Sequence, residues 1–413
     1  MQSRLFLADI SIAGHMNGVT RCLQVLAKSF SKDKDFHVTW IHFETGGQSI
    51  RRTVMNRLTR ITIPLPHPIA DFLTNTSRQQ ELWEEVYPLM EIESNNTANV
   101  IIHIHTLNLI KFALWVKQRH PCKIVTHLHC IPWKSLYNRD NRRFHRLYRK
   151  YYASTEGVRT SDFIFHEYEY VCYTSSDSII CVTQCAKDFL KRMFPDKSLP
   201  IKVVYNGIQD ILAGEPHLSR NTHTPIKCLF VGNSYTGKGL DYILESLELL
   251  FMRHEITLYV VGAFNNQQRD ELFYKHPFLD IRFTGLLPLV HLRNYYRTCD
   301  IGLISSIHEQ CSYVAIEMMM FGLPIVSTAV DGLNELFPNS QYAKRIPLHF
   351  VSSDRLQPDI VRMADAISQL IMKPEKRAKM SANVRRRYEA RFQEDKMIHS
   401  IKNIYRQLLT TES

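Results

Sequence analysis

Two carboxylates and one lysine are the residues best suited to handle a phosphorylated ligand. Glu309 and Glu317 lie eight positions apart, on either side of the start of a short apolar helix that Ser312 is expected to cap. Lys238 lies near the end of the glycine-containing stretch Val231–Gly239, whose small residues allow a backbone to approach phosphate closely. Carboxylates accept hydrogen bonds from vicinal sugar hydroxyls. The combination predicts a ligand that carries both a sugar and a phosphate.

Four histidines form a second group with chemical potential. His103 and His105 alternate along one predicted strand, and His127 and His129 alternate along the next, so each pair faces one side of a sheet. Such a group can be interpreted as a metal site. Cys130 is the only further ligand with suitable sequence spacing. We therefore expect no metal, and we interpret His103 and His127 as structural.

The elements that position the two glutamates are short and apolar. Residues 299–305 predict a buried strand, residues 323–328 predict the next one, and a glycine and a proline end the helix between them. Glu309 is then expected to follow the carboxyl end of a strand, and Glu317 to lie on the helix that begins there. Open α/β sheets bind their ligands at that edge.

Strand–helix alternation runs through both halves of the chain. Strands are predicted near residues 4–10, 37–43, 61, 100–105, 123–129, 178–183, 201–205, 227–231, 257–261, 280–284, 300–305 and 324–328. A polar segment at 210–225 reads as a linker, and two charged amphipathic helices follow Pro374. The pattern predicts two parallel, doubly wound sheets.

The E-x7-E spacing, followed by Gly322, Pro324 and an apolar strand, resembles the signature of the family-4 glycosyltransferases, which are retaining enzymes of the GT-B fold. The resemblance implies an α/β chain of GT-B architecture, with two Rossmann-like doubly wound domains facing a cleft. It implies an acceptor-side domain at 1–208, a nucleotide-sugar domain at 209–385, and a helix at 386–413 that packs back toward the first domain.

The resemblance also assigns roles to residues of this sequence. It implies catalytic roles for His129, Glu309 and Lys238. The donor-binding residues that it implies are Glu317, Lys238, Asn233, Gly232, Gly18, Asn17, Ser312 and Tyr313.

The sequence departs from the family pattern at several places. In the first half, Asn17 replaces the first glycine of a Gly-Gly turn and Cys130 stands where the family often has aspartate; three further departures lie in the second half. Asn233 stands where the family has an arginine, Asp331 replaces the first glycine of a G-G-x-x-E turn, and Gln310 to Ser312 replaces Gly-Phe-Gly. The stretch 204–208 (VYNGI) resembles the family's V-x-N-G-V turn, with Asn206 and Gly207 in place.

Composition describes a soluble basic protein. Its 413 residues carry a formal net charge of +11 and a pI near 9.1, which favours anionic partners such as nucleotides, phosphorylated lipids or a membrane surface. The same charge is equally consistent with a role in solubility alone. The first ten residues are too short and polar for a signal peptide, no apolar run is long enough to span a membrane, and nine cysteines show no C-x-x-C spacing. We expect a cytoplasmic protein that binds no nucleic acid.

Residues 134–152 interleave arginines and lysines with aromatic residues at helical spacing. This pattern suits peripheral contact with the inner face of a membrane. It suits a core stripe with a solvated face at least as well.

The predicted function is a retaining, metal-independent glycosyltransferase of the hexosyltransferase type. It would move a sugar from a nucleotide-diphosphate donor to a glycan, lipid-linked glycan or peptide acceptor, without a cofactor. The D-x-D of Asp33 and Asp35 is excluded as a metal site because it precedes a strand, at the wrong end of the sheet. Two alternatives are a non-catalytic sugar- or lipid-binding module, which Asn233 and the altered loop favour, and a GT-B-type nucleotide-sugar epimerase.

Overall fold

A computed structural model of the chain describes residues 2–12, 18–66, 69–92, 99–131, 161–195, 197–215, 225–232, 235–351 and 356–410. These residues divide into two compact units. The first takes its described residues from within 1–132, 142–205 and 397–413, and the second takes them from within 206–396.

The first unit is built on an eight-stranded sheet. Its strands are β1 (Ser3–Ile12), β2 (Phe36–Thr45), β3 (Arg51–Met55), β4 (Leu58–Leu65), β5 (Val100–Ile104), β6 (Lys123–Leu128), β7 (Ser178–Cys181) and β8 (Ile201–Val203). They are ordered β3-β4-β2-β1-β5-β6-β7-β8. All neighbours are parallel except β3 and β4. The antiparallel edge strand β3 was missed because all its residues are exposed and give no apolar alternation.

Helices of the first unit connect these strands. They are α1 (Gly18–Phe30), α2 (Ile69–Thr74), α3 (Thr76–Val86), α4 (Ile110–Arg119), α5 (Ser161–Ser175) and α6 (Gln184–Met193), with 3-10 turns at Tyr87–Met90 and Leu107–Leu109. Helix α1 buries Cys22, Leu26 and Phe30, which are four residues apart and therefore share one face.

The second unit contains a parallel six-stranded sheet and a small antiparallel hairpin. The sheet strands are β9 (Ile226–Val231), β10 (Ile256–Val261), β11 (Asp280–Gly285), β12 (Ile301–Ile304), β13 (Ile325–Thr328) and β14 (Lys344–Ile346), in the order β11-β10-β9-β12-β13-β14. The hairpin pairs β15 (Leu348–Phe350) with β16 (Leu356–Pro358). Strands β14 to β16 were not predicted, because three residues each are too few for a periodicity signal.

The helices of the second unit are α7 (Tyr235–Lys238), α8 (Leu240–Glu248), α9 (Asn266–Lys275), α10 (Leu289–Thr298), α11 (Tyr313–Met320), α12 (Asp331–Leu336), α13 (Ile360–Met372) and α14 (Pro374–Arg391). The three methionines that end α11 are buried, as core packing predicts.

The last described helix, α15 (Glu394–Thr410), contributes its residues from Met397 onward to the first unit. Lys402 is hydrogen-bonded to Asp33, and Arg406 donates to Asp35 at 3.0 Å. Lys402 also lies 3.3 Å from Asp35. The contacts of Asp35 with Arg406, the largest cause, and with Lys402 lower the pKa of its carboxyl. The D-x-D aspartates therefore hold the last described helix through Lys402 and Arg406.

Tyr405 fixes the same helix through its ring and its hydroxyl. The ring is fully buried, with its centroid 5.2 Å from that of Phe30 and 5.8 Å from that of Phe36. The hydroxyl shares a hydrogen bond of 2.6 Å with Nδ1 of His103 on β5. A residue near the end of the chain thus completes the core of the first unit.

Among the described residues, no helix has both the length and the apolar character needed to cross a bilayer. The basic aromatic stretch at 134–152 lies outside the described residues.

The contacts of Tyr405 predict two graded losses of stability. Tyr405→Ala removes a fully buried ring and should lower the free energy of unfolding of the first unit by about 3–5 kcal/mol. Tyr405→Phe keeps the ring but leaves Nδ1 of His103 without this partner, so it should cost about 1–3 kcal/mol. Urea denaturation measures both, and Tyr274→Ala is the control because Tyr274 is 90% exposed. Equal midpoints for the wild type and Tyr405→Ala would contradict this account of the helix.

Candidate active site

The order of the second sheet determines where a ligand can bind. Strands β9 and β12 are neighbours, and the chain winds away from them in opposite directions, toward β10 on one side and β13 on the other. Such a reversal opens a crevice beyond the carboxyl ends of the two central strands. The segment after β9 contains Gly232 and Lys238, and the segment after β12 contains Glu309. Sheet topology therefore brings two distant stretches of sequence to one edge.

Lys238 and Glu309 are in direct contact at this edge. The Nζ atom of Lys238 donates to Oε2 of Glu309 at 2.6 Å, and the two side chains are 39% and 15% exposed. A partly exposed ion pair of this kind contributes little to stability, typically about 0–1 kcal/mol. Its chemical value is that it holds an ammonium group and a carboxylate side by side at the edge where ligands bind.

Backbone contacts hold Lys238 in place. The hydroxyl of Ser305, which directly follows β12, lies 2.8 Å from the carbonyl oxygen of Lys238 and 2.7 Å from that of Gly239. Gly239 has a φ of +72°, and a Cβ there would lie 2.4 Å from the carbonyl oxygen of Ser305. Glycine is therefore required at this position, because a side chain would separate the two segments.

Three hydrogen bonds hold the loop that carries Glu309. The amide of Gly332 donates to the carbonyl oxygen of Glu309 at 3.1 Å. Thr328 Oγ1 donates to the carbonyl oxygen of Ser306 at 2.5 Å, and Asn206 Nδ2 donates to that of Cys311 at 2.8 Å. The loop has a defined path although its sequence departs from the family's glycine-rich run.

The glycine after β9 lies in a crowded position. A Cβ on the facing Gly262 would lie 1.9 Å from the carbonyl oxygen of Gly232. A Cβ on Gly232 itself would lie 3.2 Å from Cγ of Lys238. Gly232 therefore lets the lysine stem pass close to the backbone. The adjacent Asn233, predicted to contact the donor, lies outside the described residues.

Helix α11 begins directly after the Glu309 loop. Ser312 is its N-cap, as predicted, and its side chain accepts from the amide of Ala315 at 3.3 Å. Tyr313, its first residue, is buried. The positive end of the helix dipole therefore faces the same edge as Lys238, which favours a negatively charged ligand.

Glu317 has different surroundings from Glu309. It is only 2% exposed, and its Oε2 accepts a hydrogen bond of 2.6 Å from the hydroxyl of Tyr296 on α10. The ring of Tyr296 is stacked on Phe321, with centroids 5.3 Å apart. Glu317 is thus oriented by a buried tyrosine, whereas Glu309 is held beside a lysine. Tyr296 was missed because nothing in the sequence links α10 to α11.

The predicted residues of the first unit lie at a different sheet edge. His105 directly follows β5, and His129 directly follows β6. Nδ1 of His105 and Nε2 of His129 are 2.8 Å apart, within hydrogen-bond distance. Gly18 is the exposed first residue of α1, and Asn17 before it lies outside the described residues.

The histidine rings lie close together along each strand and across the two strands, which confirms that they share one face. Along the strands, the centroids of His127 and His129 are 4.2 Å apart and those of His103 and His105 are 4.3 Å apart. Across the strands, His103 stacks on His127 at 5.2 Å and His105 on His129 at 5.1 Å. Burial lowers the pKa of His103 and of His129 to about 3. Burial also holds the pKa of His105 and of His127 well below its usual range. The four imidazoles are therefore neutral at pH 7.

The expectation that only Cys130 could join the histidines as a ligand was wrong. Within the part of the chain that the structure describes, the cysteine that joins them is Cys22, from the buried face of α1. Cys130 is exposed. Sequence spacing could not reveal Cys22, because the packing of a helix on a sheet brings it to the cluster.

Two family models together match most of the chain. The model described as Glycosyltransferase Family 4 matches residues 16–210, and the model described as Glycosyl transferases group 1 matches residues 225–373. An uncharacterized glycosyltransferase of Methanocaldococcus jannaschii is 26% identical over 305 residues, which are 65% of this chain and 76% of that protein. A glycogen synthase of Mycobacterium tuberculosis is 29% identical over 181 residues, which are 43% of either chain.

Solved structures show the same architecture. Sucrose-phosphate synthase from Thermosynechococcus elongatus superposes with a TM-score of 0.73 at 16% identity, covering 100% of both chains. Anabaena HepE, solved in complex with UDP-glucose, has a TM-score of 0.70 at 14% identity, covering 98% of this chain and 99% of its own. At such identities the likeness concerns the fold, which is GT-B. The chain therefore belongs to the glycosyltransferases of group 1 and family 4 type.

Proposed function

We propose that this protein is a retaining, metal-independent glycosyltransferase that uses a nucleotide-diphosphate sugar. The observation that carries the proposal is the contact between Lys238 and Glu309 at the reversal point of the second sheet. A lysine ammonium suits a diphosphate, and a carboxylate suits sugar hydroxyls. Their distance of 2.6 Å suits a donor in which sugar and diphosphate are directly joined. The nucleotide sugar found with HepE supports this donor class.

Lys238 would stabilise the leaving group. When the glycosidic bond to the diphosphate breaks, negative charge builds up on the leaving oxygen, and a nearby ammonium lowers the energy of that state. In the structure, Glu309 lies 2.6 Å from the same ammonium. Donor binding would therefore exchange partners, with Lys238 turning to phosphate and Glu309 to the sugar.

Glu317 would bind the ribose of the nucleotide. Its carboxylate is oriented by Tyr296, so one oxygen is already hydrogen-bonded. A fixed carboxylate loses little entropy on accepting a ribose hydroxyl, which favours affinity. The family resemblance supports this role for Glu317 and a hydrogen bond from His129 to the transferred sugar. Departure and attack on the same face of the sugar would retain its configuration.

The acceptor would be a glycan, a lipid-linked glycan or a peptide, and the reaction would take place in the cytoplasm. The net charge of +11 supports an anionic partner, such as a phosphorylated lipid carrier.

The role of Lys238 predicts a large kinetic effect. Lys238→Ala should lower turnover on a confirmed donor at least about tenfold, because one charge-stabilising contact in the transition state is lost. Lys275→Ala is the matched control, since Lys275 lies 3.9 Å from Glu245 in an exposed ion pair of the same unit. Circular dichroism would check that both variants fold. Wild-type turnover in folded Lys238→Ala would overturn the assignment.

The two glutamates predict separable effects. Glu317→Gln should weaken binding of the free nucleotide diphosphate, and Tyr296→Phe should weaken it in the same direction by releasing the carboxylate. Glu309→Gln should change that affinity by no more than about twofold, while it cuts transfer and blunts discrimination between epimeric donor sugars. Calorimetry and transfer rates make the comparison. Equal weakening of nucleotide binding by Glu309→Gln and Glu317→Gln would refute the division of roles.

Metal independence predicts the effect of chelation. An excess of a chelator should not lower the rate of transfer by more than about twofold, because Lys238 and the helix end supply the charge that a metal would otherwise provide. The assay uses purified protein, a nucleotide sugar that it turns over, and a chelator. Loss of transfer that returns on addition of a divalent ion would show that the reaction needs a metal.

A further inference from the structure

Four potential metal ligands converge in the first unit. They are Cys22 on α1, His105 after β5, and His127 and His129 at the end of β6, and we call them the histidine–cysteine cluster. One ligand atom from each residue lies within 4.8 Å of those of the other three. Cys22, His105 and His127 are buried, and His129 is half-buried. The cluster therefore has a protected interior and one side nearer to solvent.

Several buried ring nitrogens of the cluster have no hydrogen-bond partner among the described residues. They are both ring nitrogens of His127 and Nε2 of His105. A neutral imidazole offers one donor and one acceptor, and each buried group that is left unsatisfied destabilises the folded chain. A cation that accepts imidazole lone pairs would remove part of this cost.

The ligand set selects a class of ion. Imidazole nitrogens and a thiolate favour zinc and neighbouring transition metals, whereas calcium and magnesium require oxygen ligands. Zinc–nitrogen bonds of about 2.0–2.1 Å and a zinc–sulfur bond of about 2.3 Å put the ligand atoms of a tetrahedron roughly 3.3–3.6 Å apart. The ligand atoms in the structure are up to 4.8 Å apart. Rotations of the side chains can bring them to the distances that a tetrahedron requires.

The surrounding contacts hold the ligands in position. The ring of His103 lies 5.2 Å from that of His127 and is parallel to it within 2°. On its other side, His103 is bonded to the buried hydroxyl of Tyr405. Three of the ligands come from strand ends and the fourth from a helix packed in the same core. The backbone that carries the ligands is therefore rigid, and only side-chain rotations have to be ordered when an ion binds.

We propose that the histidine–cysteine cluster binds one divalent transition-metal ion, with zinc as the ion that it fits best. The site is distinct from the Lys238–Glu309 contact of the second unit, and metal binding by these residues does not depend on transferase activity. It does use His129, so a bound ion would compete with the role proposed for that ring at the sugar.

The test uses the full-length chain, freed of metal and titrated with Co²⁺. One equivalent should bind, producing the visible bands of tetrahedral cobalt together with a near-ultraviolet thiolate-to-cobalt charge-transfer band. After zinc loading and desalting, elemental analysis should find one zinc per chain. A wild-type protein that binds no cobalt, or that shows only the spectrum of cobalt in water, would overturn the proposal.

Variants locate the ion. Cys22→Ser should abolish the charge-transfer band, and His127→Gln should weaken cobalt binding at least about tenfold. Cys185→Ser is the matched control, because Cys185 belongs to the first unit but lies outside the cluster. Should Cys22→Ser or His127→Gln fail to fold, the wild-type spectrum alone still decides the matter. A charge-transfer band of full intensity in folded Cys22→Ser would place the ion elsewhere and refute the site.

Discussion

The candidate active site depends on the close approach of the segments after β9 and β12. Lys238 reaches Glu309 only because Gly239 has no side chain and Ser305 bonds the backbone on either side of the junction. The adjacency of the two strands is fixed by the sheet, and the sheet is fixed by buried apolar residues throughout its central strands. The contact between Lys238 and Glu309 thus contributes little to stability, but the packing of the core determines its position.

The sequence predicted those parts of the site whose signals are local. The Ser312 cap, the short apolar helix and its position between two buried strands are written in consecutive residues, so the surroundings of Glu309 were foreseeable. Contacts made by long-range packing could not be predicted from the sequence. Tyr296 reaches Glu317 from another helix, and Cys22 reaches the histidines from α1, without any spacing that links them. The exposed edge strand β3 gave no apolar pattern at all.

Departures from the family pattern are absorbed by the local backbone. Asp331, where the family has glycine, adopts a φ of 20°, at the border of the region that favours glycine. Gly332 beside it remains, and a Cβ there would lie 1.6 Å from the carbonyl oxygen of Gln310. Asn206 bonds the carbonyl of Cys311 in the loop that lacks the family's glycines. Gly332 and Asn206, which match the family pattern, therefore hold the loop in a path that its altered residues alone would not specify.

The exchange of partners at Lys238 is the central claim, and a crystal structure with a bound donor tests it most directly. A thermal-shift screen of UDP-, GDP- and ADP-sugars would identify the donor to use, since a ligand that binds the folded state raises its stability. The account predicts that Nζ of Lys238 leaves Glu309, now 2.6 Å away, and contacts the diphosphate, while Glu309 contacts sugar hydroxyls. A crystal structure in which the donor is bound elsewhere and the Lys238–Glu309 contact is intact would contradict the account.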